Sequence, residues 1–162
     1  MQQQSVLTVP RPTPLVLVPP PFLFAAAFGA GALLDHFLPL PRAAMPSAVY
    51  WGGAALVVAG LGFGLWLAVS FLFRRTTLKP FADPAVLVTA GAYRISRNPM
   101  YLSLIVIYVG AALMFGSAWP LAMLVAPVAI LMRFVIPFEE ERMRAAFGAR
   151  YRDYRARVRR WL

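Results

Sequence analysis

The sequence predicts an all-α fold: an integral-membrane helical bundle of four transmembrane helices followed by a C-terminal amphipathic helix. Three observations predict it. Of the 162 residues, 60% are hydrophobic and only 14% charged, with a mean hydropathy of +0.67. A soluble domain carries about a quarter charged residues, and a small soluble protein of this composition would expose too much apolar surface. Second, three long runs, Pro12–Leu34, Ala43–Phe73 and Asn98–Met132, contain no Asp, Glu, Lys or Arg. Third, the basic residues gather beside those runs. Residues 74–97 carry Arg74, Arg75, Lys79, Arg94 and Arg97 against Asp83, and residues 133–162 carry nine Arg against Glu139, Glu140, Glu141 and Asp153. The length fits one membrane domain over 1–162.

Composition also excludes chemistry. There is no cysteine, so disulfides, thiolate nucleophiles and Cys-ligated metals are excluded. The single histidine, His36, excludes a multi-histidine metal site, and no metal is expected. Beside membrane spans, basic blocks read as topology signals and contacts to anionic lipid rather than as a nucleic-acid surface.

The first run contains Pro19-Pro20-Pro21, so its helix is expected to start near Pro21, where proline is tolerated, and to reach about Leu38. It is too long for a signal peptide and lacks a basic leader, so it counts as a span. Asp35 and His36 form a polar cap at its outer end. The second run holds one span, Ser47 to Phe73. Its Gly60-Leu61-Gly62-Phe63-Gly64 follows no strand and is not a nucleotide loop; Gly60 and Gly64 mark a closely packed helix face.

The third run is long for one span and is interrupted at Gly116–Pro120, a turn signal. It is expected to form a helical hairpin, Pro99 to Phe115 and Trp119 to Ile136, each arm about 26 Å long and just able to span. Pro127 and Pro137 are expected to kink the second arm. Placing both basic blocks on the cytoplasmic side puts both termini there too, with short, nearly uncharged outer loops at 39–46 and 116–118.

Beyond Pro137, Met143, Phe147, Tyr151, Tyr154, Val158 and Trp161 step by three or four, one apolar face of a helix with arginines on its other sides. Such a helix lies along the membrane face or packs on the bundle. Gly148 weakens it locally.

Two polar clusters stand at the cytoplasmic ends of spans and can meet. In the first, Tyr93 to Tyr101, Asn98 is a favoured N-cap and Pro99 a favoured first helical residue. The free amides expected near Met100 and Tyr101, with Arg97 beside them, suit a carboxylate or phosphate. The alternative is a well-capped helix with a snorkelling arginine. In the second cluster, Glu139 to Arg144, Glu140 shares the helical face of Met143 and is expected to point inward. Arg144 follows it by four, a favourable pair. An inward carboxylate at a membrane boundary suits an ammonium group or a diol; a surface salt bridge is the alternative. Arg133, late in the last span, is placed either to snorkel or to bind an anionic substrate group.

The stretch Arg74–Leu162 resembles the isoprenylcysteine carboxyl methyltransferase family and, in the same superfamily, the phospholipid N-methyltransferases. The resemblance rests on Thr77-Leu-Lys-Pro80-Phe81, on Leu87-Val-Thr89-x-Gly91-x-Tyr93-Arg94-x-Ser96-Arg97-Asn98-Pro99-Met100-Tyr101, on Glu139-Glu140 followed by Phe147-Gly148, Tyr151 and Tyr154, and on the Arg-Val-Arg-Arg-Trp ending. It implies a cofactor-binding methyltransferase core over 74–162 that uses S-adenosylmethionine at the cytoplasmic side. Carried across, Tyr93, Arg97, Asn98, Pro99, Tyr101, Glu139 and Glu140 are the cofactor-binding candidates. The catalytic residue is unassigned, with Arg133 and Arg144 as candidates. Two departures matter. Eukaryotic-type members carry His where this chain has Asn98, which cannot act as a base. A small residue, often Gly, is common where this chain has Ser103. Many prokaryotic-looking members carry the same Asn as Asn98. A bacterial inner membrane is the expected location.

Methyl transfer from a sulfonium is an in-line displacement that depends chiefly on positioning, and it needs no metal, thiol or histidine. In this reading the cofactor carboxylate sits at the Asn98 helix start with Arg97, Glu139 or Glu140 holds the ribose or amine, and Tyr93 and Tyr101 line the adenine or sulfonium. A lipid-like acceptor enters from the bilayer. A prenylcysteine-type carboxylate, a phospholipid or other amine, and a small thiol all stay open as acceptors. A non-enzymatic lipid-binding membrane subunit and a nicotinamide-dependent membrane reductase are the rival classes.

Overall fold

The computed structural model describes residues 13–40, 46–73 and 86–162. Arg11, most of the expected outer loop at 39–46, and the basic stretch 74–85 with its Thr77–Phe81 motif lie outside the described residues. Among those described, every named element is helical, and the one β-type pairing is an isolated parallel bridge between Ser96 and Arg159.

A short helix α1 (Pro14–Leu17) precedes α2 (Pro20–Phe37), which starts at a proline as expected. The α1 turn was not foreseen; its Val16 is buried. Helix α3 (Ser47–Phe73) and helix α4 (Pro99–Phe115) keep the expected bounds. Gly116, at φ +78°, ends α4 and donates its N–H to the Ala112 carbonyl. This is the left-handed cap that glycine adopts at least cost. Ser117 then accepts from the Trp119 amide and opens the next helix.

The second arm departs from expectation. Helical backbone does not stop near Ile136 but runs from Ala118 to Phe147. It comprises α5 (Ala118–Met123), α6 (Val125–Ile130), a π-helical turn at Leu131–Val135 and α7 (Ile136–Phe147). Pro137 lacks an N–H and would clash with the preceding turn of a regular helix. The wider π turn sits just before it and absorbs the mismatch, so the helix continues through the proline. The break falls instead at Gly148, at φ +52°, beyond which α8 (Ala149–Arg157) begins. The expected amphipathic helix is therefore two pieces: α7 continues the fourth arm and α8 is separate. The apolar stripe survives the break as far as Tyr151 and Tyr154, which are buried, but α8 ends at Arg157, so Val158 and Trp161 lie beyond the helix on extended backbone rather than on its face.

Helices α3 and α4 pack antiparallel through glycines. A Cβ added at Gly53 would lie 2.7 Å from the Gly110 carbonyl oxygen, and one at Gly60 would lie 2.7 Å from Ile107. Gly64 faces the Ser103 hydroxyl. The Gly60–Gly64 face thus serves close packing, and the small residue at Ser103 is what permits it. Phe24, Tyr108, Ala112, Leu131, Val135 and Ile136 form the buried core between α2, α4 and the long arm. The Tyr108 hydroxyl donates to the Pro120 carbonyl at 2.8 Å, fastening the hairpin. Asp35 is buried and His36 is exposed.

Outside this core the helices are apolar and uncovered. On α3, Trp51, Val58, Leu61 and Leu65 are each more than half exposed. The segments Ser47–Ser70 and Ala118–Phe147 are both long and apolar enough to cross a membrane, and α4 is a shorter apolar helix. Bare apolar helix faces of this extent suit lipid as the solvent, where a helix satisfies its own backbone.

Candidate functional site

The site forms where the start of α4, the start of α7, α8 and the C-terminal segment converge. A 3₁₀ turn at Gly91–Arg94 leads into it. The Ala92 carbonyl accepts from the amides of Ile95 and Ser96, and Ser96 is almost fully buried. The Ser96 hydroxyl oxygen accepts from the Asn98 amide at 3.1 Å. From this tight turn the chain enters α4 at Pro99, a first helical residue as expected.

Asn98 does not act as expected. Its side chain makes no cap to the helix. Its Nδ2 donates instead to the Arg160 carbonyl at 2.9 Å, because the C-terminal segment reaches that side chain first. The Tyr101 amide is not free either: it donates to the Asn98 carbonyl at 3.1 Å. The helix start therefore offers less to an anion than the sequence suggested.

The two polar clusters do meet. Arg97 Nη1 stands 3.2 Å from Glu140 Oε1, with side chains only 10% and 8% exposed. The Tyr101 hydroxyl donates to Glu139 Oε1 at 2.6 Å. Glu140 points inward as its place on the stripe predicted. Its partner is not Arg144, which pairs with Glu141 at 2.8 Å on the more exposed side of α7. Glu140 is committed to the core side, so the expected i,i+4 pair is replaced by an i,i+3 pair on the flank. The second guanidinium at Glu140 belongs to Arg160, which donates from Nε to Oε1 at 3.0 Å and from Nη2 to Oε2 at 2.9 Å. This two-point fork is the strong geometry for an arginine–carboxylate pair, and it holds the Arg160 guanidinium protonated beyond its ordinary range.

Tyr93 lies beside this cluster. Its backbone carbonyl accepts from the Tyr154 hydroxyl at 2.7 Å. With Trp66, Ser70, Val88 and Gly91 its side chain lines a small cleft. Burial raises its phenol, and the nearby Tyr154 and Glu139 raise it further. Burial likewise pushes Tyr154 up to about 12, so its hydroxyl stays a donor at any working pH. Tyr151 is raised by burial and then by Glu140, while its bond to Arg97 acts in the opposite direction.

Of the sequence candidates, Tyr93, Arg97, Asn98, Pro99, Tyr101, Glu139 and Glu140 come together. Arg133 and Arg144 do not join them: Arg133 is exposed on the π turn, and Arg144 is held on the outer flank by Glu141. Sequence reasoning missed Arg160, Ser96 and the two tyrosines of α8 as parts of the site. The stripe had marked Tyr151 and Tyr154 as inward. Arg160 lies in the Arg-Val-Arg-Arg-Trp ending, but helical spacing gave it no direction, because beyond Arg157 the backbone is extended.

Over residues 48–150 the chain matches the phospholipid methyltransferase family, a span that takes in α3, α4, the long arm and the Arg97–Glu140 contact. The chain belongs to this family. Its members are integral-membrane methyltransferases and include the isoprenylcysteine carboxyl methyltransferases. Membership and the two long apolar helices together place the protein among membrane methyltransferases. The chain is also similar to an uncharacterized protein from Haemophilus influenzae, 35% identical over 63 residues, which is 39% of this chain and all of that relative. No solved structure matches the chain.

The residues fit the cofactor that the family resemblance implies. The Nε and Nη1 atoms of Arg97 are buried; Nη1 faces Glu140 Oε1 at 3.2 Å without hydrogen-bond geometry, and Nε finds no hydrogen-bond acceptor among the described residues. A buried donor left this way is costly, and an incoming anion beside Nε would satisfy it. Glu139 and the Tyr93 and Tyr101 rings stand close by to meet an amine, a hydroxyl or an aromatic base.

Proposed function

We propose that the protein is an S-adenosylmethionine-dependent methyltransferase of the membrane, acting on a hydrophobic, lipid-phase acceptor. The observation that carries this reading is Arg97: a nearly buried guanidinium, paired with Glu140, whose Nε finds no hydrogen-bond acceptor among the described residues, inside the motif that the resemblance ties to the cofactor. Arg97 receives the carboxylate of the methionine portion. Glu139, held by Tyr101, faces the amine or the ribose hydroxyls. Tyr93 and Tyr101 line the base or the sulfonium. Bound there, the cofactor supplies an electrophilic methyl group.

The protein's own contribution is positioning and exclusion of water, worth several orders of magnitude when reacting atoms are held in line. Glu140 acts as a counter-ion to Arg97. The exposed apolar faces of the helices leave the acceptor a route from the bilayer, with its reactive end reaching the polar cluster. In this reading α2, α3, α4 and the Ala118–Phe147 arm are the four spans, both termini lie on the cytoplasmic side of a bacterial inner membrane, and the arginine-rich α8 rests near anionic lipid headgroups.

Calorimetry of the purified protein with S-adenosylmethionine tests the reading. Saturable binding is expected, weakened roughly 10- to 100-fold in Arg97→Gln, the loss typical of a hydrogen bond to a charged group. Absence of binding, or equal binding by Arg97→Gln, would overturn it.

A further inference from the structure

The C-terminal segment is pinned across the Arg97 motif by its backbone. The Arg97 amide donates to the Arg159 carbonyl at 3.0 Å, within the parallel bridge that joins Ser96 to Arg159. The Arg160 carbonyl accepts from Asn98 Nδ2 at 2.9 Å and from the Ser96 hydroxyl at 3.3 Å. Trp161 packs against the buried core. These contacts deliver the Arg160 side chain to Glu140, where its fork engages both carboxylate oxygens.

The arrangement is unusual for its division of labour. Two arginines face one carboxylate. Arg97 is the more buried, at 10% exposure against 31% for Arg160, yet Arg160 makes the two-point bond. Arg97 faces Oε1 with Nη1 at 3.2 Å, and among the described residues neither that atom nor Nε has a well-directed acceptor. The triad carries one positive charge in excess. Glu139 does not offset it, because Glu139 is turned to the Tyr101 hydroxyl and sits in the field of Arg142.

We infer that Arg160 is a positioning residue: by capturing Glu140 it leaves the buried donors of Arg97 to an anion. This rests on the cofactor reading above, in which that anion is the carboxylate of S-adenosylmethionine. Without Arg160, Glu140 is free to turn its second oxygen onto Arg97 and close the two-point pair itself. The site would then be neutral and its anion receptor occupied from within.

Two ligands separate this role from a purely structural one. S-adenosylhomocysteine carries the carboxylate. 5′-Methylthioadenosine carries the same adenosine and sulfur but no amino-acid portion. Their affinities are measured on the full-length protein in detergent, and their ratio does not depend on the fraction of protein that is folded. In Arg160→Gln, affinity for S-adenosylhomocysteine is expected to fall roughly 10- to 100-fold, with 5′-methylthioadenosine unchanged. Arg160→Lys keeps the counter-charge and should retain most of the preference. The double variant Glu140→Gln/Arg160→Gln restores the excess positive charge and should recover the preference.

Equal losses for both ligands, no loss for either, a Lys variant as poor as Gln, or no recovery in the double variant would each overturn the role assigned to Arg160. If the wild-type protein binds neither ligand, the cofactor reading itself falls and takes this inference with it. If the wild type binds both ligands and only the variants depart from expectation, the cofactor reading stands and the inference alone fails.

Discussion

The Tyr101 hydroxyl stands 2.6 Å from Glu139 Oε1 and ties the first turn of α4 to the first turn of α7 across 38 residues of chain. Two spans that meet only through apolar contacts can slide against each other; this bond sets their register where the site is built. Tyr101→Phe is expected to destabilise the protein by about 1.5–3 kcal/mol, because it leaves a shielded carboxylate without its donor. Combined with Glu139→Gln, the two losses should not add, and thermal unfolding in detergent would show a coupling of about 0.5–3 kcal/mol. Fully additive losses would mean that the contact has no energetic weight.

Glu140 and Glu141 are neighbours with different surroundings. Glu140 is 8% exposed between two guanidiniums, while Glu141 is 29% exposed with Arg144 alone. Glu140→Gln strands two charges, and a loss of about 3 kcal/mol is expected, near the low end for a broken buried pair because Arg160 still reaches water. Glu141→Gln should cost under about 0.5 kcal/mol. Denaturation midpoints for the two variants decide it, and similar small shifts would show the whole acidic cluster to be solvated.

The glycine contact between α3 and α4 makes a steric prediction. A Cβ at Gly110 would fall 2.5 Å from the Gly53 carbonyl oxygen, whereas one at Gly62 meets nothing within 4 Å. Gly110→Ala should cost about 1–3 kcal/mol by forcing the helices apart. Gly62→Ala should be neutral or stabilising by up to about 1 kcal/mol, since alanine is the better helix former. Equal melting temperatures for the two variants would contradict the packing.

Topology is tested by reporter fusions after Ala44 and after Leu162. With the basic residues of 74–97 and 133–162 set against nearly uncharged loops, these two points are expected on opposite faces of the membrane. Reporters on the same face would rule out four spans.

Helix positions were legible in the sequence wherever a single run carried both its pattern and its punctuation. Proline at the start and glycine at the end marked α4 to the residue, and the uncharged run marked α3. Glu140 was legible because one helical period connects it to Met143. The long arm was misread at Pro137, since a proline usually stops a helix and nothing in the local pattern announces a π turn that accommodates one. Asn98 was misread for a different reason. Its preference for capping is a local tendency, and it lost to a carbonyl 62 residues away that only the folded C-terminus supplies. Arg160 lay in the quoted Arg-Val-Arg-Arg-Trp ending, but its role was invisible for the same cause: it depends on a bridge between segments far apart in the chain, and periodicity describes only neighbours on one element.

The central claim is methyl transfer at the Arg97–Glu140 cluster. Its most direct test supplies S-adenosylmethionine with a radiolabelled methyl group to purified protein and a bacterial lipid extract, and counts label in the organic phase. Label should enter an organic-soluble product with the wild-type protein and fall to background with a folded Arg97→Gln variant. No incorporation above protein-free controls, or equal incorporation by Arg97→Gln, would contradict the account.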